Sequence, residues 1–385
     1  VGEAITLAIF WMTLGLLCYV HFGYPLILIA LKRLRPRPVR RGDVCPSVDL
    51  LIGAYNEEAV IREKLENCLA LDYPRDRLQI TVASDASTDC TEAIVREYQI
   101  QGVRLVAAPR RRGKAANFRE IVPSLKAEIV VFSDAGSLYG ADTLRKMMRN
   151  FADPEVGCVG GRLRYRNPDA TSVSQGEGLY WSYEVFLRKT ESAIGSAMVL
   201  SGAVYAMRRE LYRPVPDDLP DDFLCPLHVL DQGKRVLYET ETEILETMAT
   251  SARGELLTKV RIISGNFEAL RTMKHLLNPL RDPLVALQLF SHRLLRWFVL
   301  PLAAVLLLSS ALLAQRPFYL LALVGQLLFY SLAGVGWLMD LGGKRSRLAF
   351  LPYYFVLVNL AAAMGAWNGL AHRGRGAGVW EPVER

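Results

Sequence analysis

Four nearly charge-free runs interrupt this 385-residue chain, and they constrain its fold more than any other feature. Ala4–Leu31 holds one histidine, His21, and no Asp, Glu, Lys or Arg; Trp297–Ala314, Phe318–Met339 and Ala349–Leu370 are equally apolar. Each approaches the roughly 20 residues with which a helix crosses the hydrocarbon of a bilayer. The first run is too long for a signal peptide, lacks a basic leader, and ends in Lys32-Arg33-Leu34-Arg35 rather than at a small-residue cleavage site. It is therefore read as an anchor. A polar block between apolar ends is a soluble domain tied to a membrane.

Lys32, Arg33, Arg35, Arg37, Arg40 and Arg41 follow the first run directly, and basic flanks stay cytoplasmic. The amino terminus is therefore expected outside, with the soluble block on the cytoplasmic side of the cell's inner or plasma membrane. Lys344, Arg345 and Arg347 agree, whereas Arg373 and Arg375 fall on the external side if all three later runs cross. The net charge of +7 sits largely beside the spans, where it meets anionic lipid, and calls for no nucleic acid. The six cysteines form no CxxC pair and read as reduced side chains of a cytoplasmic domain.

From Pro46 onward short apolar runs alternate with helical stretches: Val48–Gly53, Gln79–Ser84, Val103–Val106 and Glu128–Ser133 as strands, with helices over Glu57–Ala70, Asp89–Gln101 and Lys114–Leu125. This alternation predicts an α/β domain with a parallel sheet covered on both faces, and ligands at the carboxyl edge of its strands. Val156–Tyr165 and Met198–Met207 are further expected strands around a helix near Ser174–Ala193. Asn56, Asp89 and Asp142 are expected helix caps. Beyond Ser251 the basic amphipathic stretches to Arg296 are expected to lie in the membrane interface. The expected domains are 1–31 (first span), 46–250 (soluble domain), 251–296 (interface helices), 297–371 (three spans) and 372–385 (tail).

Acidic groups cluster where strands end. Ala54-Tyr55-Asn56-Glu57-Glu58 closes the first strand and Ser84-Asp85-Ala86-Ser87-Thr88-Asp89 the second. Tyr55 is able to stack on a base, and Glu57 and Asp85 to accept from a ring or ribose. Arg110-Arg111-Arg112-Gly113-Lys114 precedes a helix amino terminus, a natural anion site, with Lys114 as a point charge for a diphosphate. Asp134 ends the fourth strand and is a candidate ligand for a divalent cation. Asp221-Asp222 opens a later helix and offers a general base for a hydroxyl. The first strand runs Gly53-Ala54-Tyr55-Asn56 and lacks GxGxxG, against a dinucleotide-dependent oxidoreductase.

Val48–Glu58, Ser84–Thr91, Gly113–Asn117, Asp134–Tyr139 and Asp221–Gly233 resemble, in order, the motifs of family 2 glycosyltransferases, above all the membrane-integrated relatives of cellulose, chitin and hyaluronan synthases. The resemblance implies a GT-A (Rossmann-like) cytoplasmic domain with transmembrane and amphipathic interface helices. It implies an inverting hexosyltransferase that takes a nucleotide sugar, usually a uridine diphosphate sugar, to a polysaccharide or lipid-linked acceptor. By it, Tyr55, Glu57 and Asp85, with Ala54 beside them, hold the nucleoside; Lys114 holds the diphosphate; Asp134 faces Mg²⁺ or Mn²⁺; and Asp222, beside Asp221, is the base. Ser201-Gly202 lies under the donor sugar, and Trp181 with Glu184 lines the acceptor path.

Two departures stand out. Gly136 replaces a second Asp at the metal motif, leaving His228 as a candidate to complete it. The Gln-x-x-Arg-Trp motif of processive synthases is replaced by Thr258-Lys259-Val260-Arg261-Ile262; Arg261 keeps a possible diphosphate contact, but the Trp platform for a growing polymer is gone. Transfer of a single sugar to a membrane lipid, and a catalytically degenerate nucleotide-binding protein, are the alternatives.

Overall fold

The computed structural model describes residues 2–165, 172–246, 252–344 and 346–371; Ser251, Arg345 and the tail 372–385, with Arg373 and Arg375, lie outside them. After the apolar helix Gly2–Leu34 (α1) the chain enters four strands: Val48–Ala54 (β1), Leu78–Ser84 (β2), Arg104–Ala107 (β3) and Ile129–Asp134 (β4). β1 and β4 are buried along nearly their whole length, as continuous apolar runs must be when helices cover both faces. The four strands pair in parallel in the order β3-β2-β1-β4. Ile61–Leu69 (α2), Thr91–Glu97 (α3) and Lys114–Ile121 (α4) connect them.

Past β4 the sheet turns mixed. Leu138–Tyr139 (β5), Val156–Tyr165 (β6), Val204–Arg208 (β7) and Arg235–Glu246 (β8) complete an eight-stranded sheet, β3-β2-β1-β4-β7-β6-β8-β5. β7 is antiparallel to both β4 and β6. The wholly parallel sheet expected from the alternation thus holds only for its first half. The expected strand Met198–Met207 shortens to β7, because Ser201 bridges back to Val204 around a turn at Gly202. Thr143–Met148 (α5), Ser172–Ile194 (α6) and Asp221–Asp231 (α7) pack on this half.

Two expected caps differ. Asp142 does not cap α5; its carboxylate pairs with Lys146 at 2.6 Å, one turn on. Asn56 adopts a left-handed φ of 51° and turns its amide to the neighbouring loop instead of to a helix. Asp89 lies one residue before the N-cap of α3, Cys90, and from there its carboxylate accepts from the Thr91 N–H at 2.9 Å.

Helix Ala252–Thr272 (α8) then packs on the later helices and is followed by Pro283–Leu312 (α9), Pro317–Leu341 (α10) and Arg347–Ala371 (α11). Among the described residues four helices, α1 and α9 to α11, are long and apolar enough to cross a membrane. Their outward side chains stay exposed, among them Trp11, Phe22, Leu308, Leu321, Leu328, Trp337 and Trp367. α9 begins fourteen residues before the expected span and runs into it through a widened turn, Leu289–Leu294, and a tightened one, Leu295–Phe298. Irregular turns of this sort aim side chains that a straight helix does not.

α8 and α11 meet through missing side chains. A Cβ on Gly365 would lie 2.8 Å from Ile263 Cβ and 2.9 Å from the Val260 carbonyl oxygen; one on Gly369 would meet Phe267 Cβ at 3.0 Å. Backbone and Cβ atoms cannot swing aside, so α8 would have to move. Gly365→Val is therefore expected to cost about 1–3 kcal/mol and to shift α8 off α11. A lowered melting temperature together with faster proteolysis between α8 and α9 would report it; unchanged values would show that the seam is loose.

Candidate active site

The loops after β1 and β2 brace one another. Asn56 Oδ1 accepts from the Thr88 N–H at 2.8 Å and the Asn56 N–H donates to Ser87 Oγ at 3.2 Å. The Glu58 N–H donates to Asp89 Oδ2 at 3.1 Å, and the Cys90 N–H returns to Glu58 Oε2 at 2.9 Å. Asp85, 5% exposed, is held by the basic loop: Oδ1 accepts from the Arg112 N–H at 2.8 Å and Asn117 Nδ2 at 2.9 Å, and Oδ2 from the Gly113 N–H at 2.8 Å. Gly113 reaches this position with φ 93°, which a side chain would resist. Asp85 thus anchors the start of α4 and retains little acceptor capacity for a ligand. Arg111 lies over the Tyr55 ring, 4.0 Å from its centroid, and Arg112 pairs with Glu120.

α4 delivers Lys114 to the centre. Its Nζ is 2.7 Å from Asp134 Oδ1 and 3.8 Å from Asp221 Oδ2. Burial works against this ammonium, but Asp134, Asp221 and Asp222 more than offset it, so its pKa rises above the ordinary lysine value. Asp221 is buried and accepts from the Tyr205 hydroxyl at 2.7 Å. Asp222 instead faces the turn at Gly202, where a Cβ would meet Asp222 Oδ2 at 3.2 Å and Asp134 Oδ2 at 3.5 Å. Burial first, and the neighbouring Asp221 second, push the Asp222 carboxyl up to about 6, with Lys114 and Arg261 opposing. Arg261, on α8, sits within the field of Asp222 and Asp134.

These groups line one cavity of about 750 Å³. It starts at Gly53, Tyr55, Glu57 and Asp85, passes Lys114, Asp134, Gly202, Asp222 and Arg261, and continues to Trp297 on α9 and Val358, Asn359 and Ala362 on α11. One end is the carboxyl edge of a sheet; the other is built by helices apolar enough to span a membrane.

Residues 49–215 match the model of glycosyl transferase family 2. The chain carries a glycosyl transferase family 2 domain. A beta-monoglucosyldiacylglycerol synthase of Synechocystis sp. is 29% identical over 43% of this chain and 36% of its own length. An N-acetylglucosaminyltransferase of Rhizobium meliloti is 25% identical over 58% and 56%. The chain thus spans about a third to a half of the length of these relatives. Among solved structures, the mannosyltransferase PcManGT from Pyrobaculum calidifontis, in complex with GDP-Man and Mn²⁺, superposes with a TM-score of 0.72 at 25% identity. It covers 97% of this chain and 100% of that one. The transferase domain has a GT-A-like α/β fold.

The expected site residues of the transferase domain largely converge: Ala54, Tyr55, Glu57, Asp85, Lys114, Asp134, Trp181, Glu184, Ser201, Gly202, Asp221, Asp222 and Arg261 all line the cavity. His228 does not. It is buried on α7 beside Arg213 and Asp231, since it lies almost two turns beyond Asp222 and points into the packed side of the helix. Glu184 lines the wall but its carboxylate is taken by Arg296 and by His292 Nε2 at 3.2 Å. Sequence reasoning missed Arg188, Arg293 and Trp297, which also line the cavity; the spacing Arg293-x-x-Arg296-Trp297 at a span boundary was the available signal.

Among the described residues no group of three His, Cys, Asp or Glu side chains is arranged for a metal ion. Mg²⁺ is commonly held by one or two carboxylates together with substrate phosphates. Asp134 therefore fits as a protein ligand for a cation that arrives with a diphosphate.

The raised Asp222 pKa has a stability consequence. Its stabilising protonated form is fully present below the unfolded carboxyl value and is lost as pH rises through about 6, so above that pH the half-buried charge strains the fold. Asp222→Asn is expected to raise the melting temperature at pH 7.5 by about 2–4 °C, with the gain disappearing near pH 4. A variant that melts lower at pH 7.5 would contradict the proposed burial.

Proposed function

We propose that this protein is an inverting glycosyltransferase that moves one sugar from a nucleoside diphosphate donor to a hydroxyl of a lipid-linked acceptor at the membrane surface. The observation that carries this reading is the single cavity that runs from the sheet edge, past Asp222, to α9 and α11. A donor is water-soluble and enters at the β1 and β2 loops; an acceptor with an apolar tail meets Asp222 from the membrane helices. The name of the Synechocystis relative, a glycolipid synthase, supports the same acceptor class.

In this mechanism Asp222 takes the acceptor hydroxyl proton while the oxygen attacks the anomeric carbon and the bond to the diphosphate breaks on the opposite face. Asp222 suits the role because its elevated pKa, about 6, makes it a stronger base than an ordinary carboxylate yet leaves it ionised near neutrality. The departing diphosphate gains charge, and Lys114 and Arg261 are the cations that meet it in a partly dry site. A divalent cation, Mg²⁺ or Mn²⁺, would neutralise the diphosphate when bound, with Asp134 as its protein ligand. Tyr55 and Glu57 flank the nucleoside end, where Asp85 positions the Arg112–Lys114 turn. The resemblance implies uridine, whereas PcManGT was solved with GDP-Man; a thermal-shift panel of uridine and guanosine diphosphate sugars, with and without Mn²⁺, decides the base.

Ile262 stands where processive synthases present Trp, and it is 44% exposed. A branched aliphatic side chain offers no stacking face for a sugar ring, which favours single transfer over polymer extension. Incubation of purified protein with labelled donor and membrane lipid is expected to yield one product of fixed size that extracts into organic solvent; a ladder of water-soluble products would instead support polymer synthesis.

Asp222→Asn is expected to lower turnover about 10²–10⁴-fold while donor affinity stays within about twofold. The base must be ionised, so the rate of the unaltered enzyme should fall tenfold per pH unit below about 6 and level off above it. A flat profile between pH 5 and pH 7 would assign the proton to another group.

A further inference from the structure

At the membrane end of the cavity three guanidinium groups surround a single carboxylate. Glu184, 1% exposed, is paired with Arg296, and its Oε2 lies 3.6 Å from Arg188 Nη2. Arg293 stands within electrostatic reach of Glu184, Arg188 and Arg296. Three guanidinium groups thus gather around Glu184. His292 lies between Glu184 and a second buried carboxylate, Glu191, whose Oε1 is 2.7 Å from the far ring nitrogen.

The shortage of acceptors is visible atom by atom. Arg188 is 5% exposed, yet its Nε and Nη1 have no hydrogen-bond partner among the described residues, and neither has Arg293 Nε. The Arg188 guanidinium lies 4.8 Å from the Trp181 ring centroid and 5.7 Å from that of Tyr238. Aromatic faces attract a cation but supply no acceptor lone pair for its N–H groups. Leaving charged donors buried and unpaired is costly. Both arginines line the same cavity as Asp222.

We infer that Arg188, Arg293 and Arg296 form a subsite for a phosphate group, set at the end of the cavity nearest the membrane helices. Guanidinium forks match phosphate oxygens two at a time, and a bound phosphate would supply acceptors for the unpartnered N–H groups of Arg188 and Arg293. On the reading that a lipid-linked acceptor enters there, the phosphate belongs to that acceptor's headgroup, which would fix the acceptor's depth and turn its free hydroxyl toward Asp222. The assignment of the phosphate to the acceptor rests on the proposed function; the existence of the subsite does not.

The test uses the full chain in phosphatidylcholine nanodiscs, doped in parallel with phosphatidic acid or with diacylglycerol of the same chains, and in a third arm with inorganic phosphate in the buffer. Phosphatidic acid is expected to raise the melting temperature and to be retained on repurification, while diacylglycerol does neither. The double variant Arg188→Gln/Arg293→Gln should weaken phosphatidic acid binding about tenfold or more, and Arg188→Lys/Arg293→Lys should keep most of it. Nucleotide binding serves as the check of folding; if the double variant loses it, Arg293→Gln alone, at a half-buried position, takes its place. Equal retention of both lipids, or phosphate binding untouched by the glutamine variants, would overturn the inference. Arginine-dependent protection by inorganic phosphate alone would uphold the subsite and assign it to free phosphate. No step needs sugar transfer, so an inactive protein that still binds phosphate through these arginines ends the proposed function and leaves the subsite standing.

Discussion

Three carboxylates in one cleft repel one another, and the transferase domain exists in this form because cations are built in among them. Lys114 touches Asp134 and stands within 3.8 Å of Asp221, while Arg261 faces Asp222 and Asp134 from α8. In a medium of reduced dielectric such attractions are large, but each ion also resists burial. The compromise shows in the opposite fates of two neighbours. Asp221 is tied off by Tyr205; Asp222, one residue later on the same helix turn, keeps a raised pKa and faces the cleft. Adjacent residues on a helix point about 100° apart, so one carboxylate is committed to the core and the other left for chemistry.

That charge balance depends in turn on the membrane helices. Arg261 is carried by α8, and α8 is seated on α11 through Gly365 and Gly369. A second link runs through buried Glu191, which joins the Tyr24 hydroxyl of α1 and His292 of α9 to α6. The soluble sheet and the apolar helices are thus coupled by contacts that leave little play. A cleft half-built from each belongs to neither alone.

The parallel half of the sheet was legible because β1 and β4 are largely apolar runs, broken only by Asp49 in β1 and by the Ser133-Asp134 end of β4, and the strand-end acids followed from it. β8 was not legible. Its alternating Glu239, Glu241 and Glu243 look like a solvated segment, yet Glu239 is buried and receives Arg149 at 3.1 Å and Asn150 at 3.0 Å, both from the short turn that follows α5. Only distant partners make that strand affordable, and no local pattern announces them. Asp85 shows a subtler limit: its position was read correctly, but its carboxylate is engaged by the backbone of residues 112 and 113. Backbone donors leave no trace in side-chain identity. Arg188 and Arg293 escaped for a similar reason, since a cation on an amphipathic helix reads as interfacial until its missing acceptor is seen.

Gly136 is the feature that most invites a degenerate reading, and the electrostatics argue against it. Losing a second acid from the metal motif removes one negative charge from a cleft that already holds Asp134, Asp221 and Asp222. With Lys114 fixed on Asp134, a fourth carboxylate would leave the cleft more strongly anionic and less welcoming to a diphosphate. The glycine therefore brings the site nearer to the balance a doubly charged leaving group requires. Asp222, half-buried and with its carboxyl raised to about 6, faces a cavity that reaches α9 and α11, the placement that the proposed general base needs.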